Sequence, residues 1–306
     1  MERLVLGLVL LAGTPAAGNP LYPSSTKEVA MDMAPYSFDD QYEGCSHLME
    51  QELPELNRTE FSTNSIYAET WTKAAKLWGH HRMKQRPGLW LEHEVALLAY
   101  TLDGPLFSTF NEAVREAGRS RHWYLHRFHF KVLHFLLSQA VSTLRGAGTH
   151  GGCRRVYRSV HDVLFTAQRG QSVRFGHFTS TSLYNSSSFG SDSFFMVETC
   201  CGVLIRDFSF YPKEEEILIP PSEVFQVISF IHTGHSSLIQ LRSQGTNSTY
   251  NCELVKEKRC GTAPCPFSAA EPRPHGLCST SAAPPPALPG SSAPWGLLLA
   301  ALAAVG

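Results

Sequence analysis

Three consecutive carboxylates stand directly before an apolar run in the segment F-Y-P-K-E-E-E-I-L-I-P-P. If Glu216 begins a strand or closes the turn into it, the period of two points Glu214 and Glu216 to one side and Glu215 away. An ionised carboxylate can stabilise positive charge that develops in a transition state, and a second carboxylate can accept a proton. The alternative is a solvated acidic turn, as is common for a short run of like charges.

Two further groups could form a site with these carboxylates. Arg158 lies in the strand-like run R-V-Y-R-S-V, where burial of a guanidinium is costly unless a carboxylate or a phosphate pairs with it. Otherwise Arg158 is an ordinary exposed strand residue. The strand end F-T-S-T-S, Phe178 to Ser182, is rich in hydroxyls, although Ser and Thr are also common on solvated strand faces.

Metal and cysteine chemistry are weaker alternatives. His122 and His126 are four residues apart on a predicted helix, a spacing that could bind zinc. The glutamate of H-E-x-x-H is absent, and the neighbouring Trp123, Leu125 and Phe128 favour helix packing instead. We therefore predict no metal site. No cysteine lies in a local signature of a catalytic nucleophile.

The elements that must position these residues fall into two blocks. From Ile66 to about Leu137, apolar residues recur at spacings of three and four, which predicts helices. After G-A-G-T-H-G-G, short β-branched or aromatic runs separated by turn residues predict strands. Helices followed by strands without alternation indicate an α+β domain with antiparallel sheets. No G-x-G-x-x-G follows a predicted strand, which argues against a Rossmann cofactor site.

The first residues have the layout of a secretory signal. The run Leu4 to Ala12 has no charge, and the small residues T-P-A-A-G follow it. We therefore assign residues 1–18 to a signal peptide and residues 19–265 to the folded domain. The run is too short for a membrane span, which needs roughly 20 apolar residues.

The last residues, 266–306, form a tail rich in Pro, Ala and Ser that ends in W-G-L-L-L-A-A-L-A-A-V-G. This pattern is typical of a GPI-attachment signal, with Ser279 to Ala282 as the small residues of the attachment site. The alternative is a disordered secreted tail. We expect an extracellular protein, secreted or GPI-anchored, whose contact with a membrane is limited to that anchor.

Composition supports export and excludes one class of partner. Eight cysteines in an exported chain indicate disulfides, although sequence alone does not pair them. The sequons at Asn57, Asn185 and Asn247 are glycosylation candidates. With 26 basic and 27 acidic residues the formal net charge is −1, and no basic stripe or aromatic platform indicates a nucleic-acid partner.

The order Arg158, then Ser-Thr-Ser, then Glu-x-Glu resembles the motif set of the arginine-specific ecto-ADP-ribosyltransferases. The segments S-F-D-D-Q-Y-E-G-C, V-A-L-L-A-Y-T, F-N-E-A-V-R-E-A-G-R-S-R and S-T-Y-N-C-E also look like that family. The resemblance covers nearly everything between the signal and the Pro-rich tail. It implies the ADP-ribosyltransferase fold, in which a helical N-terminal half packs on a core of two antiparallel sheets.

The resemblance also implies roles for single residues. Arg158 would hold the NAD phosphates, Ser180 would brace the site, Glu216 would be the catalytic glutamate, and Glu214 would select arginine as the acceptor. Tyr100, His177 and Ser209 fall where the family contacts NAD, although relatives have glutamine at the position of His177. The same resemblance pairs Cys45 with Cys252 and Cys153 with Cys200.

The function implied by the resemblance is transfer of ADP-ribose from NAD to arginine side chains of acceptor proteins. NAD is then a co-substrate, and no cofactor is bound permanently. Two alternatives stay open: an NAD glycohydrolase, in which water replaces arginine, and a catalytically silent cell-surface protein of the same fold. The presence of Glu214 argues against the first, and the presence of Arg158, Ser180 and Glu216 argues against the second.

Overall fold

The computed structural model describes residues 26–80, 88–147, 152–185 and 192–260, together with Cys265 and Cys278. The predicted signal peptide and the remainder of the tail lie outside the described residues. In the part of the chain that the structure describes, no helix combines the length and the hydropathy needed to cross a bilayer.

The predicted helical half is present and extends further at both ends than the periodicity indicated. Glu60 helps to fix the last long helix, because its carboxylate accepts the backbone N–H groups of Lys131 and Val132 at 2.7 and 3.1 Å. The helices are α1 Ser46–Thr63, α2 Ser65–His80, α3 Leu91–Thr101, α4 Leu106–Ala117, α5 Arg121–Arg127, α6 Lys131–Ala147 and a short α7 Glu253–Val255.

The strands form an eight-stranded sheet in the order β4-β9-β10-β6-β2-β5-β8-β7 and a two-stranded sheet of β1 and β3. The described strands are β1 Lys27–Ala30, β2 Arg154–Val160, β3 Val163–Thr166, β4 Ser172–Val173, β5 Thr179–Ser182, β6 Ser193–Thr199, β7 Val203–Leu204, β8 Glu216–Ile219, β9 Glu223–Thr233 and β10 Ser236–Thr246.

The α+β class and the two sheets are confirmed, with one correction to the strand pairing. Pairing is antiparallel except between β10 and β6 and between β1 and β3, which run parallel. Parallel neighbours need a long connection between them, and each of these pairs is separated by several intervening elements. Local turn signals therefore did not indicate the direction of these two pairs.

Strands β5 and β8 lie between two hydrophobic cores. Phe178 and Leu218 belong to the core built by the helices. Ile217 and Ile219 belong to a second core within the sheet, which also contains Phe195. Every residue of β8 is buried. Side chains on these two strands are therefore held on both faces, which favours a precisely positioned site.

All eight cysteines are bridged. Two of the bridges are the pairs that the resemblance implies, and the structure also pairs the remaining four cysteines. The bridges are Cys45–Cys252, Cys153–Cys200, Cys201–Cys278 and Cys260–Cys265.

Candidate active site

Three neighbouring strands bring the candidate residues together. Ser180 on β5 pairs with Leu218 on β8, and Ser182 pairs with Glu216, so Ser180 and Glu216 project from the same face. That face is the one from which Leu218 enters the helical core. Arg158 on β2 donates from Nη1 to the carbonyl oxygen of Ser180 at 2.8 Å. The tertiary structure thus joins residues that are 58 positions apart at the extremes.

Glu216 begins β8 and is 5% exposed. The Ser209 hydroxyl donates to its Oε2 atom at 3.0 Å, and the Ser180 hydroxyl lies near enough to act on the carboxylate. Burial raises the pKa of Glu216 above its ordinary value, while the two hydroxyls oppose that shift. The charge on Glu214 raises the pKa further, and Arg158 lowers it. The ionisation of the buried Glu216 carboxylate is therefore controlled by burial and by these four neighbouring groups.

The three carboxylates do not form one extended strand. Residues Pro212–Glu214 make a 3₁₀ turn, and Glu215 has a left-handed backbone with φ 46°. Glu215 turns away to pair with Arg206 at 2.9 Å. Glu214 is exposed, yet it is near enough to Glu216 to influence its ionisation. The predicted separation of Glu215 from the other two is therefore observed, but the left-handed residue produces it rather than strand alternation.

A second guanidinium lies beside Arg158. Burial lowers the pKa of Arg158, and repulsion from Arg115 contributes to that shift. Arg115 is in the last turn of α4 and also acts on His177. The motif F-N-E-A-V-R contained this arginine, but sequence reasoning assigned it no role. Two guanidinium groups that repel one another at a site favour an anionic ligand.

The Tyr100 side chain is bonded within the protein. Its side chain is fully buried, and its hydroxyl donates to the carbonyl oxygen of Phe178 at 2.8 Å. Asn111 on α4 donates to the same hydroxyl from Nδ2 at 3.0 Å. The phenol supports the start of β5, because its ring fills the helical core, and the contact between Tyr100 and NAD stays a prediction.

His177 lies at the edge of the same cluster and is 9% exposed. Burial lowers its pKa to about 3, with Arg115 and Arg158 acting in the same direction. Its Nδ1 atom is 2.6 Å from the carbonyl oxygen of Phe178, which can only accept, so Nδ1 carries the proton. The neutral ring then leaves Nε2 as a hydrogen-bond acceptor at the site.

The predicted glycosylation sites differ in exposure. Asn57 is buried in α1, and its Oδ1 atom accepts the Tyr67 hydroxyl at 2.7 Å. This burial argues against a glycan on the Asn57 side chain. Asn185 and Asn247 are exposed.

The histidine pair on α5 is exposed, with ring centroids 4.4 Å apart. Trp123 is also exposed, so the predicted packing holds for Phe128 but is wrong for Trp123. Among the described residues there is no group of three or more side chains suited to a metal ion.

The fold is similar to a crystal structure of the eucaryotic mono-ADP-ribosyltransferase ART2.2, with a TM-score of 0.63 and 37% sequence identity. The similarity covers 73% of this chain and 98% of that one. Mutants of ART2.2 have been crystallised in complex with NADH and with NAD. Fold and site together define an ADP-ribosyltransferase.

The sequence places the chain more narrowly. The family described as NAD:arginine ADP-ribosyltransferase matches residues 31–249. The chain is 51% identical over 276 residues to an erythroblast NAD(P)(+)-arginine ADP-ribosyltransferase of Gallus gallus, covering 88% of this chain and 91% of the relative. It is 48% identical over 260 residues to a GPI-linked NAD(P)(+)-arginine ADP-ribosyltransferase 1 of Mus musculus, covering 81% and 80%. This chain belongs to the NAD:arginine ADP-ribosyltransferase family.

Proposed function

We propose that this protein transfers ADP-ribose from NAD to arginine side chains of acceptor proteins and releases nicotinamide. The observation that carries this proposal is the buried carboxylate of Glu216, held by the Ser209 hydroxyl at 3.0 Å beside Arg158 and Glu214. NAD is a co-substrate that leaves with each turnover.

The leaving group determines what the site must supply. Nicotinamide carries a positive charge while it is bound to the anomeric carbon, so it departs neutral and needs no proton. A general acid is therefore unnecessary. Positive charge develops on the ribose instead, and an ionised carboxylate close to the 2′-hydroxyl stabilises it. Glu216 fills this role, and Arg158 binds the phosphates of NAD, which a planar guanidinium can grip through two hydrogen bonds.

The acceptor arginine sets the second requirement. A free guanidinium has a pKa above about 12 and is a poor nucleophile until it is oriented and has lost a proton. Glu214 is exposed beside Glu216, so a side chain arriving from solvent can reach it. Its carboxylate orients the arginine through a charge-assisted contact and accepts the proton. Attack on the face opposite nicotinamide inverts the anomeric centre.

The remaining site residues take supporting roles under this proposal. Ser180 and Ser209 hold the Glu216 carboxylate through their hydroxyls. His177 offers its neutral Nε2 atom to NAD. Water in place of arginine gives NAD hydrolysis as a side reaction, and the exposed position of Glu214 favours transfer over hydrolysis.

The proposed location is outside the cell, with residues 1–18 removed, a catalytic domain over 19–265 and a GPI-attachment signal within 266–306. Two observations support it: all eight cysteines are bridged, and similar relatives are GPI-linked proteins by name. Asn185 and Asn247 are the proposed glycosylation sites, since both side chains are exposed.

The test uses labelled NAD and agmatine, a small guanidino acceptor, with transferred and free ADP-ribose separated and counted. Glu216→Gln should lower transfer by about a hundredfold or more while NAD still binds, because one electrostatic stabiliser of the transition state is lost. Glu215→Gln is the matched control, since that carboxylate pairs with Arg206 instead. Equal rates in the two variants would overturn the role of Glu216.

Glu214→Gln tests the acceptor assignment separately. We expect transfer to agmatine to fall much more than hydrolysis of NAD to free ADP-ribose, because only transfer needs the guanidinium oriented and deprotonated. Equal losses in the two reactions would show that Glu214 does not select the acceptor.

A further inference from the structure

Asn111 has an arrangement that stability alone does not explain. Its side chain lies on α4 and is 3% exposed. Nδ2 donates to the Tyr100 hydroxyl at 3.0 Å, whereas Oδ1 is buried and has no hydrogen-bond partner among the described residues. An unsatisfied buried polar atom destabilises the folded state, and an apolar side chain of similar shape would avoid that cost. The amide therefore has a use other than packing.

The amide controls the direction in which Tyr100 donates its proton. Because Nδ2 can only donate, it occupies a lone pair of the hydroxyl and leaves the phenolic proton for the carbonyl oxygen of Phe178, 2.8 Å away. Burial raises the pKa of Tyr100, so the phenol stays protonated. Its ring contacts Phe107 and Phe110, which restricts its movement.

The carbonyl of Phe178 lies immediately before β5, the strand that pairs with the strand of Glu216. Ser180 follows Phe178 by two residues, and its own carbonyl oxygen accepts a hydrogen bond from Arg158 at 2.8 Å. The Ser180 hydroxyl lies near enough to the Glu216 carboxylate to lower its pKa. A chain of polar contacts thus runs from α4 through α3 and β5 to β8.

We propose that Asn111 is a positioning residue for Glu216, which acts by orienting the Tyr100 hydroxyl so that β5 and the Ser180 hydroxyl are held against the carboxylate. This inference rests on the proposed function, because it assigns Asn111 to the same reaction. Under this proposal Asn111 is not a catalytic residue. Its effect reaches the reacting atoms only through Tyr100 and Ser180.

The first test is Asn111→Leu, which removes both the donor and the unsatisfied oxygen with little change in volume. We expect kcat for transfer to agmatine to fall about tenfold, KM for NAD to stay within twofold, and the melting temperature to stay equal or rise. A purely structural role predicts the reverse, namely a lower melting temperature with kcat retained, and that result would overturn the proposal.

Asn57→Leu is the matched control. Asn57 is also a buried helical asparagine bonded to a tyrosine hydroxyl, but its partner is Tyr67 on α2. Here the Tyr67 hydroxyl donates to Asn57 Oδ1, so its loss should lower the melting temperature and leave kcat unchanged. An equal loss of kcat in both variants would refute a specific role for Asn111.

A second variant, Asn111→Asp, tests the proton direction itself. The ionised aspartate accepts the Tyr100 proton and draws it away from Phe178, whereas the protonated acid donates as the amide does. We therefore expect kcat to fall as pH rises through the ionisation of the new carboxyl, opposite to the rise of the parent protein through the ionisation of Glu216. A pH profile with the parent shape would overturn the proposal.

Glu216→Gln, measured beside these variants, distinguishes a failure of the inference about Asn111 from a failure of the proposed function. If Glu216→Gln is inactive while the Asn111 variants match the parent protein, the inference fails and the proposed function stands. If Glu216→Gln keeps full activity, the proposed function fails first.

Discussion

Removal of the Ser209 hydroxyl should move the pH dependence of the reaction. Ser209 donates to Glu216 Oε2 at 3.0 Å, and Glu216 is 5% exposed, so little water can replace the lost donor. A hydrogen bond to a charged group contributes about 1.5–3 kcal/mol. Ser209 itself is half-buried, so we take the lower end of that range. Because 1.36 kcal/mol corresponds to a factor of ten in an equilibrium constant, Ser209→Ala should make ionisation of Glu216 about tenfold less favourable.

The direction of the pKa shift follows from the role of Ser209 as the hydrogen-bond donor. The hydroxyl stabilises the ionised carboxylate and thereby lowers the pKa of Glu216, in opposition to burial. Without it the carboxyl keeps its proton to higher pH. The acid limb of the rate profile should therefore move upward by about one pH unit.

The assay is hydrolysis of NAD measured across the acid range, since hydrolysis does not depend on protonation of an acceptor guanidinium. Ser243→Ala is the matched control, because Ser243 donates to the buried carboxylate of Glu223 at 2.6 Å, outside the site. We expect its acid limb to stay in place. An acid limb that is unmoved in Ser209→Ala, or that moves equally in both variants, would refute the role given to Ser209.

Three further predictions concern stability. Asp39→Ala should lower the free energy of unfolding by about 3–5 kcal/mol in denaturant titration, because it leaves Arg174, 4% exposed, without its carboxylate partner. Burial lowers the pKa of His134 from 6.5 to about 3, so its contribution to stability is present above pH 6.5 and is lost as pH falls towards 3. In urea titrations, the free energy of unfolding of His134→Gln should therefore depend less on pH between 6.5 and 3, and an unchanged pH dependence would contradict this. Replacement of both Cys45 and Cys252 by serine removes a bridge that closes a loop of 207 residues and should lower the free energy of unfolding by roughly 5 kcal/mol. A smaller loss in calorimetry would count against the loop-entropy explanation.

Much of the fold was predictable from local patterns. Spacings of three and four identified the helices between Ile66 and Leu137, and the change of texture after Ala147 identified the start of the strands. Helix α1 was missed because Pro54 and several charged residues interrupt its periodicity. Its burial against the other helices compensates for that weak local signal.

The candidate site was predictable in part. Arg158, Ser180 and Glu216 were identified by residue type and order, and the structure brings them together. The resemblance placed Tyr100 where the family contacts NAD, but it did not indicate that the Tyr100 hydroxyl is buried and bonded within the protein. The hydrogen bond between Asn111 and Tyr100 could not be predicted from the sequence, because the two residues lie on different helices whose relative orientation depends on packing.

The sequence by itself determined the chemical groups and the α+β class and predicted the export signals, because each depends on residue types and short spacings. The tertiary structure decided which strands run parallel, which of the three sequon asparagines are exposed, and which hydroxyls lie at the Glu216 carboxylate. These properties depend on contacts between residues far apart in the chain. The pKa of Glu216 is the clearest case: Ser180 and Ser209 act on it from two other segments, and burial between the sheet and the helices sets the direction of its shift.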